Sequence, residues 1–122
     1  GLLLYSNAGH NNPVLYHAKE RRTESLEATG PILGPFPEER YRVENARMSP
    51  GDVLVMFTDG ISEATNVEEQ WYGERRIAEK VEELAEESPE AMCRAILEDV
   101  ETYSQGSEDS DDMTVVVVKR VH

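Results

Sequence analysis

The chain has 122 residues and carries 25 acidic against 12 basic side chains, a formal net charge of −13. That length fits one compact domain with a core of its own and no need of disulfide staples. The charge argues against nucleic acid or an anionic membrane surface as partner, because the densest basic spots, residues 19–22 and 75–76, each stand beside acids.

Residues 2–6 form a short apolar run that predicts a strand. Asn7-Ala8-Gly9-His10-Asn11-Asn12-Pro13 is a dense turn signal, and Val14-Leu15-Tyr16 resumes the apolar run, so the two strands are expected to form a hairpin. Residues 23–28 predict a third strand, and Gly30-Pro31-Ile32-Leu33-Gly34-Pro35 a stiff loop. Tyr41-Arg42-Val43-Glu44 alternates as a half-exposed strand does, and Ser49-Pro50-Gly51-Asp52 is a turn. Val53-Leu54-Val55-Met56-Phe57 is apolar at every position, which predicts a strand buried on both faces.

The period then changes. Ile77, Val81 and Leu84 fall at helical spacing among Glu79, Glu82, Glu83, Glu86 and Glu87, which predicts an amphipathic helix with an acidic outer face. Ser88 is placed to cap a second helix with Pro89 at its first position, and Met92, Ile96, Leu97 and Val100 line one face of it. A Gly/Ser/acid loop at 104–110 leads into a last strand at 113–118. Strands, then two segregated helices, then a strand make an α+β layered fold rather than a βαβ alternation. The lone Cys93 cannot form an internal disulfide, no apolar run approaches the length of a membrane span, and a cytoplasmic setting with no membrane insertion is the expectation.

Acidic residues at two strand ends are the informative coincidence. Asp59 follows the 53–57 strand, and Asp111 and Asp112 precede the 113–118 strand. If those strands pair antiparallel, three carboxylates converge at one edge of the core, an arrangement that calls for a hard divalent cation. The same residues are also those of ordinary turns, so spacing alone leaves both readings open. No calcium-binding loop, phosphate-cradling glycine loop or nucleophile elbow is present. His17 and His122 are expected to face solvent. His10, in the first turn, is open to two readings: a general acid or outer-sphere metal partner, or a residue that stabilises the turn.

Taken in order, Tyr5-Ser6-Asn7-Ala8-Gly9-His10-Asn11, Gly30-Pro31-Ile32-Leu33-Gly34, Pro50-Gly51-Asp52, Thr58-Asp59-Gly60-Ile61-Ser62-Glu63-Ala64 and Asp111-Asp112-Met113-Thr114 resemble the sporulation and stress-response branch of the bacterial metal-dependent Ser/Thr phosphatases, the PPM or PP2C-like family. The resemblance implies part of an α-β-β-α sandwich of mostly antiparallel strands and a binuclear Mn²⁺ or Mg²⁺ centre. There, metal-activated water attacks the phosphorus of a phosphoserine or phosphothreonine. By the same resemblance Asp59 and Asp111 match metal ligands, Asp112 orients the loop or contacts a peripheral ion, and His10 falls near that ion or the leaving group. The family's bridging carboxylate, in a Gly-Asp-x-x-Gly-His-Gly type of segment, has no match in this sequence.

Residues 1–122 are therefore expected to be the C-terminal portion of such a phosphatase domain, inactive when isolated. The expected partners are a phosphoprotein substrate such as an anti-sigma antagonist, and either the missing N-terminal half or a second copy, joined through exposed edge strands. The alternative is a non-catalytic interaction module of the same fold.

Overall fold

The computed structural model describes residues 1–108 and 111–122; the last part of the expected 104–110 loop, Asp109 and Ser110, lies outside the described residues. Among the described residues six strands and three helices follow one another as β1 (Leu2–Tyr5), β2 (Val14–His17), β3 (Arg22–Ser25), β4 (Glu44–Arg47), β5 (Val53–Phe57), α1 (Asp59–Ser62), α2 (Gly73–Leu84), α3 (Pro89–Tyr103) and β6 (Val115–Lys119). A four-stranded antiparallel sheet runs in the order β3-β2-β5-β6, and β1 and β4 form a separate antiparallel pair.

β5 explains its own composition. Val53, Val55 and Phe57 point into a core closed by Ile77 and Val81 of α2 and by Met92, Ile96 and Val100 of α3. The alternate residue Leu54 points the other way, into a second core with Leu15, Leu26, Ala46 and Met48. An inner strand with a layer on each side has no polar face, hence the unbroken apolar run. The molecule is thus helices on sheet on sheet, three layers of the expected sandwich. The helices form as their sequence signals require: the Ser88 hydroxyl accepts from the Ala91 amide at 3.2 Å and Pro89 opens α3. Lys119 Nζ donates to the carbonyls of Ala85 at 2.7 Å and Glu87 at 3.1 Å, so the last strand supplies a cation to the C-terminal end of α2.

Four local expectations are corrected. β1 and β2 do not form a hairpin, since β1 pairs with β4 (Leu2 opposite Arg47) while β2 pairs with β3 and β5. The long Asn7–Pro13 link instead carries the chain from one sheet to the other, held where Ala8 bridges Gly30 and the Thr29 amide donates to the Asn7 carbonyl at 2.8 Å. The fourth strand lies at Glu44–Arg47 rather than 41–44. Ala46 is the residue that β4 buries, and Tyr41 serves the preceding loop by donating its hydroxyl to the Ile32 carbonyl at 3.2 Å. The last strand lies at Val115–Lys119 rather than 113–118, and it is covered on one face only. Val115 and Val117 pack on the helix side, while Val116 and Val118 stay 45% and 46% exposed beyond the reach of the β1–β4 pair.

His17, the fourth correction, is buried. Its Nε2 lies 2.7 Å from Glu24 and its Nδ1 3.4 Å from Asp52. The Asp52 carboxylate, itself buried, also accepts the amides of Ala18 at 2.9 Å and Ser49 at 2.8 Å, which satisfies its charge and ties the turn before β5 to the end of β2.

A second polar knot joins the helices. The buried Tyr72 hydroxyl donates to Asp99 at 2.5 Å, Lys80 approaches the same carboxylate at 3.6 Å, and the ring meets Tyr103 edge-on at 5.3 Å. Burial foremost, then the hydrogen bond to Asp99 and that residue's negative charge, raise the Tyr72 pKa above its ordinary value. The folded protein keeps a proton that the unfolded chain gives up at about pH 10, so this contribution is complete below that pH and declines above it. Tyr72→Phe is expected to cost about 1 kcal/mol near neutrality and to flatten the loss of stability above about pH 10. Urea denaturation of both proteins across that range checks the sign.

Candidate metal centre

The site is assembled by the antiparallel register of β5 and β6, which sets Phe57 opposite Val115. One residue beyond the pairing, the Thr58 amide donates to the Thr114 carbonyl at 3.1 Å, and the Thr114 amide donates back to the Thr58 hydroxyl at 3.1 Å. This clasp holds the start of α1, where Asp59 stands, against the segment that carries Asp111 and Asp112. Gly60 allows the approach: a Cβ there would overlap the backbone carbonyl of Asp112.

Two adjoining cavities share Asp59, Gly60 and Asp111. One, of about 390 Å³, extends towards Glu63, Ser104 and Glu108; the other, of about 360 Å³, extends towards Asp112, His10 and Asn11. All three predicted carboxylates therefore face one edge of the molecule, and His10 joins them from the β1–β2 link. Asp59, Asp111, Asp112 and His10 are all solvent-exposed. The Asp111 carboxylate accepts the Asp112 amide at 2.7 Å, which shapes the loop entering β6.

The His10 turn is built rather than loose. The buried Asn7 side chain accepts the His10 amide at 2.8 Å and donates to the His10 carbonyl at 3.1 Å. The Asn7 amide in turn donates to the Thr29 hydroxyl at 3.0 Å. Asn11 reaches across to the Ser62 hydroxyl at 3.2 Å, tying the turn to α1. His10 Nδ1 lies 3.0 Å from the Asn11 carbonyl, which can only accept. In the neutral ring the proton therefore sits on Nδ1, and Nε2 is left as the basic nitrogen.

Among the described residues five carboxylates (Asp59, Glu63, Glu108, Asp111 and Asp112) border these cavities, and no lysine or arginine does. The donors are hard oxygens, the kind that suits Mg²⁺ or Mn²⁺. Their grouping falls short of a full ligand set: among the described residues no three His, Cys, Asp or Glu side chains come together closely enough to hold a metal. The described residues thus fit such a cation in donor type. Glu63 and Glu108 were not singled out from the sequence. For Glu63 a signal existed, because it lies four residues after Asp59, one helical turn along.

The family model described as Stage II sporulation protein E (SpoIIE) matches residues 1–121. The chain is 30% identical over 117 residues to the phosphoserine phosphatase RsbU of Bacillus subtilis, covering 95% of this chain and 34% of that protein. It is 29% identical over 120 residues to protein IcfG of a Synechocystis species, covering 98% of this chain and 19% of IcfG. In three dimensions it superposes on the SiaA-PP2C domain of Pseudomonas aeruginosa with a TM-score of 0.81 at 18% identity, covering 97% of this chain and 46% of that one. It also superposes on a structure of the SpoIIE PP2C phosphatase domain with part of its regulatory domain, from Bacillus subtilis, with a TM-score of 0.80 at 22% identity, covering 97% of this chain and 34% of that one. The chain spans about a third or less of these curated relatives and about half of the SiaA-PP2C chain.

The Gly60 contact is open to direct test. Gly60→Ala is expected to push α1 away from the Asp112 carbonyl and to cost about 1–3 kcal/mol, the range for forcing extra volume into a packed site. Thermal unfolding of the variant beside the parent chain measures it.

Proposed function

The chain belongs to the Stage II sporulation protein E (SpoIIE) family of PP2C-like protein phosphatases, and from that membership we propose that it is the C-terminal portion of a metal-dependent phosphoserine/phosphothreonine phosphatase domain. The observation that carries the reading is the convergence of Asp59 and Asp111 across the β5–β6 register onto both cavities, with no lysine or arginine among the described residues lining them. Asp59 and Asp111 are the proposed ligands of Mn²⁺ or Mg²⁺, with Asp112 orienting the loop or meeting a peripheral ion. When bound, the cation would lower the pKa of a water nucleophile and offset charge on the phosphoryl oxygens. His10 presents Nε2 as the nitrogen able to exchange a proton beside the leaving group.

The remaining ligands, including a bridging carboxylate, are proposed to come from the N-terminal half of the same domain. The incomplete ligand set among the described residues supports that division. So does the apolar surface at Val116, Val118, Leu2 and Leu4, on the sheet faces where further layers would pack. A phosphoprotein in bacterial stress or sigma-factor signalling, such as an anti-sigma antagonist, is the proposed substrate; the phosphoserine phosphatase named among its relatives supports the phosphoserine in that reading.

The isolated 122-residue chain is expected to give negligible Mn²⁺-dependent hydrolysis of p-nitrophenyl phosphate. The full-length protein is expected to turn it over, and Asp59→Ala there to lower kcat/KM by about 100-fold or more. Robust turnover by the isolated chain, lost on Asp59→Ala, would overturn the division of the site between two halves.

A further inference from the structure

An exposed histidine in a turn moves a proton reliably only if the turn holds its ring in one place, and the residue that holds the His10 turn is Asn7. Asn7 is 7% exposed and lines neither of the two site cavities, so it does not touch what binds there. Both polar atoms of its side chain go to the backbone of His10: Oδ1 accepts the amide at 2.8 Å and Nδ2 donates to the carbonyl at 3.1 Å. One hydrogen bond would leave His10 free to swing about it. Two, on either side of the same Cα, fix its orientation.

The grip continues away from the site. The Thr29 amide donates to the Asn7 carbonyl at 2.8 Å, and the buried Thr29 hydroxyl accepts the Asn7 amide at 3.0 Å. Gly9, at φ +76°, lets the turn close against the 31–37 loop, where a Cβ would lie 2.8 Å from the Ile32 amide nitrogen. Towards the site, the Asn11 carbonyl holds His10 Nδ1 at 3.0 Å, and the Asn11 side chain donates to the Ser62 hydroxyl at 3.2 Å. Ser62 ends the short helix that Asp59 begins. The turn is thereby fixed both in its own shape and in its distance from the candidate ligand Asp59.

We propose that Asn7 is a positioning residue for proton transfer to the leaving group, acting through His10, with the Asn11–Ser62 bond setting the turn against α1. The proposal rests on the phosphatase reading above. In hydrolysis a water oxygen bonds to phosphorus as the bond from phosphorus to the serine oxygen breaks. The departing alkoxide is strongly basic and needs a proton. Nε2 takes one from solvent and passes it to that oxygen, while the proton lost by the water returns to solvent, so the balance closes. A donor displaced by about 1 Å forfeits up to about 100-fold in rate, which gives a rigid mount its value.

The experiment uses the full-length protein with Mn²⁺ and compares phenyl phosphate with p-nitrophenyl phosphate, which differ by one nitro group. The p-nitrophenolate ion departs without a proton, whereas the more basic phenolate gains from one. Asn7→Ala is expected to lower kcat for phenyl phosphate about tenfold more than kcat for p-nitrophenyl phosphate, with little change in either KM. Asn11→Ala, which keeps the backbone carbonyl at Nδ1, should move that ratio the same way by less. In a His10→Ala background, adding Asn7→Ala should move it no further. The ratio is taken on one preparation and is independent of the fraction of molecules folded. Equal falls for the two esters overturn the proposal, because a turn that only stabilises the fold slows both alike. A further shift in the His10→Ala background overturns it too, as does an Asn7→Ala protein that fails to fold beside an Asn11→Ala protein of unchanged ratio. Failure of the phosphatase reading shows earlier and differently: the parent protein then hydrolyses neither ester with Mn²⁺, and both readings fall together.

Discussion

The antiparallel register of β5 on β6 is the constraint from which the site follows. Pairing Phe57 with Val115 leaves the next residues of both strands to meet, and the reciprocal Thr58–Thr114 hydrogen bonds hold them there. A slip of one residue would turn every side chain of β6 to the other face and move Asp111 and Asp112 away from Asp59. Register is strongly specified because Val115 and Val117 must join the helix-side core and a slip would expose them. The same hydrophobic packing that stabilises the domain therefore positions carboxylates that would otherwise repel one another. Gly60 removes the last steric obstacle, since any side chain there would meet the Asp112 backbone.

The two layers around the inner sheet differ in kind. On one face α2 and α3 close a continuous core from Val14 to Val100, stitched at its rim by Tyr72–Asp99 and by Lys119 at the end of α2. On the other face lies the β1–β4 pair, which covers Leu15, Leu26 and Leu54 but leaves Val116 and Val118 partly in solvent. The asymmetry also sorts the polar groups. Asp52 and His17 are buried where β2 and β5 meet and are mutually satisfied, whereas the cavity carboxylates lie at the open edge, where a cation could reach them.

Regular periodicity made part of this legible. β5 could be recognised as an inner strand because an unbroken apolar run admits no solvent face, and α2 and α3 because their apolar spacing and the Ser88-Pro89 start are set within a few residues. Asp59, Asp111 and Asp112 could be grouped because each abuts a strand whose pairing partner was guessable. Readings failed where the decision was not local. The Asn7–Pro13 turn has the composition of a hairpin, yet its strands belong to different sheets, since β1 finds β4 some forty residues away. Tyr41 and Val43 alternate like a strand, but the inward places beside β1 went to Ala46 and Met48. His17 was read as exposed because its sequence neighbours are charged, while its partners Glu24 and Asp52 arrive from other segments.

By itself the sequence determined the α+β class, the inner strand, both long helices with the start of the second, and the family through ordered short motifs. These depend on period, capping and turn chemistry, which act over one element at a time. Tertiary structure alone decided which strands pair, which face of β6 is covered, and that Glu63, Glu108 and His10 join the three aspartates around shared cavities. It also decided that the apolar 31–37 loop lies against the His10 turn. Those are contacts between residues far apart in the chain, and no local preference encodes them. They arise when the core as a whole excludes water, and only then do side chains at the ends of separate elements become neighbours.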